Sequence, residues 1–282
     1  MRADLHSHST ASDGTAAPAE VMAAARAAGL DVIALTDHDT VAGHALARAA
    51  LPPGLTLLPG MELSCRLDGH SVHMLAYLFD PAHAELAAEC QAIVASRDSR
   101  ARAIVQRLAE LGTGVTWEQV AAIAGGGVIG RPHIARAMVA AGVIADPQQA
   151  FSPQWIGPGG RAHVARYALD PLRAIALIRA AGGVSVLAHP RGSTRAWMIG
   201  DEVIAGLAAA GLTGIEVRHP DHDHSERERL STLAADLGLV ASAGSDDHGE
   251  LTGHRIGCET IGADEYQRLL AQATGAAPVS AR

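Results

Sequence analysis

Lysine and asparagine are absent from this sequence, so its 22 basic side chains are all arginine. Without lysine there is no P-loop lysine, no kinase lysine and no Schiff-base lysine. Without asparagine there is no Cys-His-Asn triad. Aromatic residues are scarce, two Phe, three Trp and three Tyr in 282 residues, too few for a base-stacking platform. The three cysteines, Cys65, Cys90 and Cys258, lie far apart with no Cys-x-x-Cys spacing, which argues against a disulfide framework and a thiolate zinc site. The formal net charge of −8 argues against long nucleic acid as a partner. No apolar run approaches the roughly 18 residues of a membrane span, and the opening Met-Arg-Ala-Asp-Leu-His lacks a signal-peptide pattern. A cytoplasmic protein without membrane association is expected.

A hydrophobic fraction of 48% supports a sizeable core, and the length suits one large domain or one domain with a modest insertion. Short apolar runs alternate with alanine-rich helical patterns. Strands are expected at 3–5, 31–36, 55–58, 72–78, 184–188, 214–217 and 240–243. Helices are expected at 18–28, 41–50, 82–111, 116–124, 132–141, 171–181, 201–210 and 225–237, the last opened by a Ser225–Glu228 capping box. Strands separated by single helices imply parallel pairing with right-handed crossovers. Seven or eight such units suit a (β/α) barrel with 96–160 as an all-helical insertion; a doubly wound open sheet is the competing arrangement. The polar residues favour the barrel. His6 and His8, Asp37 and His38, Glu62, His189, Glu216 and His219, and Asp246 and His248 each stand at or after the end of an apolar run. Barrel enzymes build their sites at such strand ends, whereas an open sheet gathers its ligand at one switch point.

Histidine is abundant, with 15 residues. His6-Ser7-His8 puts two imidazoles on one side of an extended strand. Alone, the pair reads equally well as two ligands of one divalent metal or as solvated surface histidines. The turns Thr36-Asp37-His38-Asp39-Thr40 and Gly244-Ser245-Asp246-Asp247-His248 repeat carboxylate beside imidazole, and His189 and Glu62 add one candidate each. Such clusters directly after apolar runs favour metal binding over chance. Imidazole with carboxylate and no thiolate suits Mn²⁺, Fe²⁺ or Zn²⁺ rather than Cu(I) or Ca²⁺. The glycine-rich stretch 125–130 enters a helix at Arg131-Pro132-His133. A helix start of that kind exposes N–H groups to an anion, and Arg131 can add a bidentate contact to phosphate. A solvated helix start is the plain alternative for Arg131 and His133. The stretch also fits G-x-G-x-x-G, but no βαβ unit surrounds it, so a dinucleotide site is rejected. His219 reads as a substrate contact or a structural group. His222 and His224 read as surface residues at a helix start.

The segments HSHSTASDGT, ALTDHDT, AHP and GSDDHG, in that order, resemble the four motifs of the PHP (polymerase and histidinol phosphatase) family of metal-dependent phosphoesterases. They run from His6 to His248, most of the chain. The resemblance implies an α/β protein folded as a distorted (β/α)7 TIM-like barrel, with two or three divalent metals, Mn, Fe or Zn. On this reading 1–95 and 161–282 form the barrel, and 96–160 is a small helical insertion covering the active site. It implies that His6, His8, Glu62 and Asp246 hold one metal, and that Glu62 bridges to a second completed by His73 and His189. Asp13, His38 and His248 would hold a third; Asp13 stands where some relatives have histidine. His73 is preferred to His70 as the strand ligand. Asp37, Asp39 and Asp247 would orient the ligating imidazoles. The segment RPHIAR resembles the small-phosphatase branch of the family, which implies phosphate binding by Arg131 and His133.

The implied activity is hydrolysis of phosphate monoesters of small nucleotides: nucleoside 3′,5′-bisphosphates, nucleoside monophosphates or the ends of very short RNA. The attacking hydroxide would be held between two metals about 3.5–4 Å apart. Glu62, Asp246, His248 and His219 are the catalytic candidates, with His219 or a third-site group managing the leaving-group proton. The expected partner is a small phosphorylated substrate. Histidinol-phosphate phosphatase is the rival within the same chemistry. A non-catalytic metal-binding PHP module and a barrel amidohydrolase are rivals of other classes; the carbamylated lysine common in the latter is impossible here.

Overall fold

In the computed structural model, residues 1–165, 167–192 and 197–281 are described. Strand β1 (Ala3–Asp4) pairs in parallel with β2 (Val32–Leu35), and β2 with the start of β3 (Thr56–Leu67). Helices α1 (Pro18–Ala27) and α2 (His44–Ala49) make the crossovers. Proline opens α1, at a position where a backbone N–H would have no intrahelical partner. Val21, Met22 and Ala25 of α1 share a core with Ile33 and Leu35 of β2. All four residues of β2 are apolar and buried, as a strand covered on both faces requires.

Two features depart from the expected parallel rhythm. First, β3 continues through Pro59-Gly60 to Leu67, with Pro59 in register against Leu35, so Glu62 lies within the strand. Second, β4 (His70–Tyr77) runs antiparallel to β3, from Leu67↔His70 to Gly60↔Tyr77. The reversal is made by Asp68 and Gly69, both at positive φ (48° and 82°). A two-residue turn of that kind matches the twist of the flanking strands, and Asp-Gly is its sequence mark. Because β4 is antiparallel to β5 (Val184–Leu187) as well, β5, β6 (Gly214–Arg218) and β7 (Val240–Ala243) again point the same way as β1–β3.

The circuit β1 to β7 nearly closes into a barrel. At the seam the Leu5 N–H donates to the Ala243 carbonyl (3.2 Å) and the Asp246 N–H to the His6 carbonyl (2.8 Å). Glycine at 244 makes this approach possible, since a Cβ there would stand 2.2 Å from the His6 Cβ. A short β8 (Val279–Ser280) pairs with the start of β3 outside the circuit. Around the second half lie α6 (Pro171–Ala180), α7 (Asp201–Ala209), α8 (His224–Asp236) and α9 (Ala263–Leu270). The capping box expected at Ser225 does not form. Asp223 is the N-cap instead; its carboxylate accepts the Glu226 N–H (2.9 Å) and the Ser225 hydroxyl (2.8 Å).

Helix α3 (Ala84–Glu110) is a 27-residue excursion from the barrel. Its later turns pack with α4 (Trp117–Ala124), α5 (Arg131–Ala140) and a 3-10 turn at Pro147–Phe151. They enclose a second core that includes Ile104, Leu108, Val120, Ile134 and Met138. Among the described residues no helix is long and apolar enough to cross a membrane.

Candidate metal centre

The candidate ligands converge at one mouth of the barrel. His6 and His8 leave β1 with their Nε2 atoms 3.1 Å apart. Glu62 reaches between them and three further imidazoles. Its Oε2 lies 3.4 Å from His6 Nε2, 3.2 Å from His8 Nε2 and 3.1 Å from His38 Nδ1. Its Oε1 lies 2.7 Å from His73 Nδ1 and 3.0 Å from His189 Nε2. Asp246 Oδ1 faces His6 Nε2 (3.3 Å) and His8 Nε2 (3.2 Å). Asp13 stands across from His248 Nε2 (3.4 Å) and His38 Nε2 (3.8 Å). The hairpin explains His73: the reversal of β4 places it opposite Ser64, two residues beyond Glu62. His70 stacks on Trp197 instead, with ring centroids 4.5 Å apart.

Among the described residues, four groups bring their donor atoms within 4.8 Å of one another. His6, His8, Glu62 and Asp246 form one; His38, Glu62 and His73 a second; His8, Asp13, His38 and His248 a third. The fourth, His6, His189 and Glu216, contains a carboxylate to which the sequence assigned no role. Asp39, His189 and Asp246 hold positive φ (57°, 29° and 48°), a conformation uncommon for residues other than glycine and concentrated at functional sites.

The electrostatics of the cluster set buried carboxylates against buried imidazoles. Burial raises the cost of ionising Glu62, but the imidazoles of His73, His38 and His6 hold its pKa well below the ordinary carboxylate value. Burial likewise opposes charge on Asp13 and Asp246. Both are still held low, the first by His38 and His248, the second by His6 and His248. Burial works against a proton on His8, yet Asp246 and Glu62 raise its pKa to about 10. At His38 burial prevails and the pKa falls to about 3. Nδ1 of His8 and of His38, and Oδ1 of Asp13 and of Asp246, are buried without a hydrogen-bond partner of good geometry. Buried polar atoms left so need an explanation. Divalent cations would satisfy these donors and balance the carboxylates, so the residues fit the metals expected of them.

The cluster forms one wall of a cavity of about 690 Å³, which includes Asp13, His38, Glu62, His73, His189, Asp246 and His248. Arg97, Arg100 and Arg131 from the helical excursion also line it, with Phe151; the Arg131 guanidinium lies 5.4 Å from the Phe151 ring centroid. Arg97 and Arg100 carry no motif signature, and only the packing of α3 brings them here. His133 is buried, and its Nδ1 accepts the Gly130 N–H (3.0 Å). It therefore caps α5 rather than facing the cavity. The glycine run ends α4 and docks it: a Cβ on Gly127 would stand 2.3 Å from the Thr10 carbonyl oxygen, and the Val128 N–H donates to Ala11 (3.1 Å). The N–H groups expected to cradle an anion are thus partly spent on structure.

Other expectations shift in the same way. Asp37 accepts from the Ser9 N–H (2.8 Å) and from the hydroxyls of Ser9 and Ser12 (2.7 and 2.6 Å). Asp247 accepts from Gly249, Thr252 and Arg255. Asp39 accepts from Ser64 and from the Arg97 guanidinium. These carboxylates hold the loops that carry the imidazoles, because their short side chains reach the nearest backbone and hydroxyl groups first. His219 is fully buried; its Nδ1 accepts the Asp221 N–H (3.1 Å) and its Nε2 faces Asp246 Oδ2 (3.3 Å). His222 is buried, bonded to the Val217 carbonyl and the Arg191 N–H; His224 is exposed as expected.

A nearly closed barrel whose strand ends gather imidazoles and carboxylates is the architecture expected of a PHP domain. Residues 4–111 match the PHP domain family, and the chain belongs to that family. It is 36% identical over 248 residues to a 5′-3′ exoribonuclease of Haemophilus influenzae, covering 87% of this chain and 89% of the relative. It is 34% identical over 261 residues to a 3′,5′-nucleoside bisphosphate phosphatase of Chromobacterium violaceum, covering 89% of each. A solved structure from Bifidobacterium adolescentis, described as a metal-dependent phosphoesterase, superposes with a TM-score of 0.89 at 33% identity over 96% of both chains.

Proposed function

We propose that the protein is a metal-dependent phosphomonoesterase of small nucleotides, with a nucleoside 3′,5′-bisphosphate as its foremost substrate. The observation that carries this reading is the cavity itself, whose lining combines the metal-type cluster with Arg97, Arg100 and Arg131. Candidate metal sites and the arginines Arg100 and Arg131 in one cavity suit a molecule with two phosphates. The similarity to a nucleoside bisphosphate phosphatase supports the same substrate class, and a small nucleotide fits an enzyme of the cytoplasm.

The ligand sets proposed are His6, His8, Glu62 and Asp246; Glu62, His73 and His189; and Asp13, His38 and His248, for two or three Mn, Fe or Zn ions. When bound, such ions stabilise charge on the phosphoryl oxygens and make a nucleophile available at neutral pH. Arg131 grips a phosphate through its planar fork. His219 stands behind Asp246 and outside the cavity lining, so its part is to hold Asp246. Where that third set holds no ion, the leaving-group proton then falls to the Asp13–His38–His248 face, which does line the cavity. The helical segment 96–160 covers the site and limits water.

The test is phosphate release by purified, Mn²⁺-loaded protein from a nucleoside 3′,5′-bisphosphate, a nucleoside 5′-monophosphate, 5′-phosphorylated di- and trinucleotides, and histidinol phosphate. The bisphosphate is expected to have the highest kcat/KM. Stepwise release of mononucleotides from RNA, in preference to phosphate release, would favour the reading suggested by the exoribonuclease relative. Preference for histidinol phosphate would overturn the nucleotide assignment. Arg131→Ala is expected to leave metal content unchanged and lower kcat/KM for the bisphosphate about 10- to 150-fold, the worth of a charged hydrogen bond.

A further inference from the structure

We propose that Glu216 is a positioning residue that sets the ring of His6 and the backbone of His189 together, so that both present Nε2 to Glu62. The inference rests on reading the buried clusters as metal sites. Glu216 lies on β6 between Ile215 and Val217, which pack into the outer core. Alternation along a strand then turns Glu216 into the barrel interior, where it is fully buried. Each carboxylate oxygen has its own partner. Oε1 lies 2.9 Å from His6 Nδ1, and Oε2 accepts the His189 N–H at 2.7 Å.

Glu216 already accepts from the His189 N–H, and as an acceptor towards His6 too it pairs with a ring proton on Nδ1. The lone pair of a neutral His6 is thereby left on Nε2. That atom faces His8 Nε2 (3.1 Å), Asp246 Oδ1 (3.3 Å) and Glu62 Oε2 (3.4 Å). At His189 the task differs. Its backbone sits at φ 29°, a region that a side-chain-bearing residue occupies only when its surroundings hold it there. The bond from its N–H to Glu216 supplies such a hold and keeps Nε2 3.0 Å from Glu62 Oε1. With one oxygen on His6 Nδ1 and the other on the His189 N–H, Glu216 supports ligands rather than acting as one.

The isosteric amide separates this role from space filling. In Glu216→Gln one oxygen becomes an NH₂ group. If the amide oxygen faces His6, the NH₂ opposes the His189 N–H. If it turns over, the NH₂ faces His6 Nδ1 and drives the ring proton onto Nε2. Either way one ligand loses its support while the volume stays the same.

The experiment is a Zn²⁺ competition titration of wild type and Glu216→Gln against a chromophoric chelator, with metal per chain measured by elemental analysis. Thermal unfolding and kcat and KM on the bisphosphate are measured alongside. Support for an orienting carboxylate is commonly worth about 10- to 100-fold in metal affinity. The expected result is a loss of that size in Glu216→Gln, with kcat falling more than KM rises. Long-range ¹⁵N–¹H correlation of the His6 ring in wild-type, Zn²⁺-loaded protein gives an independent readout that needs no variant to fold; the proton is expected on Nδ1. Wild-type Zn²⁺ affinity in Glu216→Gln, or a His6 proton on Nε2, would overturn the proposal. Wild-type protein that takes up no Zn²⁺ would overturn the metal reading and this inference with it, which distinguishes the two failures.

Discussion

Arg97 shows how one side chain outside the recognisable motifs holds the site in shape. It is buried on α3, with Nε 2.6 Å from Asp39 Oδ2 and a second nitrogen 2.7 Å from the Ser64 hydroxyl. Asp39 adjoins His38, and Ser64 stands two residues beyond Glu62, so one guanidinium braces two ligand-bearing segments. Removing one partner of a buried ion pair strands the other charge, at a cost of about 3–5 kcal/mol. Arg97→Met is therefore expected to lower unfolding stability by that order in urea titrations. Adding Asp39→Asn should cost less than the sum of the single changes. Glu62 is the opposite case, fully visible in the sequence. Glu62→Gln keeps the shape but removes the charge around which five imidazoles gather. Elemental analysis is expected to show loss of the second metal, and kinetic assays loss of nearly all turnover.

At the scale of elements, turn chemistry rather than strand propensity decides the arrangement. The apolar pattern of 72–78 marks a strand but is silent on direction; Asp68-Gly69 reverses it and thereby delivers His73. The glycine run 125–127 likewise marks a turn without showing what the turn approaches. Its use is docking of the α4–α5 connection on residues 10–12. A methyl group added in Gly127→Ala must displace backbone, and overpacking of this kind costs about 1–3 kcal/mol. Lower thermal stability and a higher KM for the bisphosphate are expected. Metal bound by His6, His8, Glu62 and Asp246 should stay as in the wild type, because those residues come from the barrel side.

For the molecule as a whole, the barrel gathers Glu62, Asp246 and Asp13 into a small volume, and on the proposed reading bound cations would hold them together. A ligand that binds the folded state alone at 100 times its Kd adds about 2.7 kcal/mol. For a chain of this size that corresponds to a rise of roughly 4–5 °C in melting temperature per independent site. Calorimetry of chelator-treated protein is expected to show a fall of this order, with recovery on adding Mn²⁺. An unchanged melting temperature would mean that the cluster takes up no metal in the folded state.

Much of the barrel and of the residues that gather at its mouth was legible in the sequence, for a physical reason. Fully buried strands must be short apolar runs, and a barrel site must place ionisable residues just beyond them, so His6, His8, His38, His189 and Asp246 announce themselves by position. Glu62 was legible too, although its strand proved longer than the pattern implied. The partners of those residues were not legible, because a hydrogen bond between distant segments leaves no local trace. Nothing in the sequence around Glu216 separates a carboxylate that orients His6 from one that faces water, and nothing around Arg97 separates it from the other arginines of α3. His133 and Asp37 look like site residues by their neighbours, yet short reaches to nearby N–H and hydroxyl groups turn them to capping and loop support. Local composition thus determined which chemistry this chain carries. Tertiary structure decided which groups touch, since closure of β7 on β1 and reversal of β4 set the distances between residues far apart in the chain.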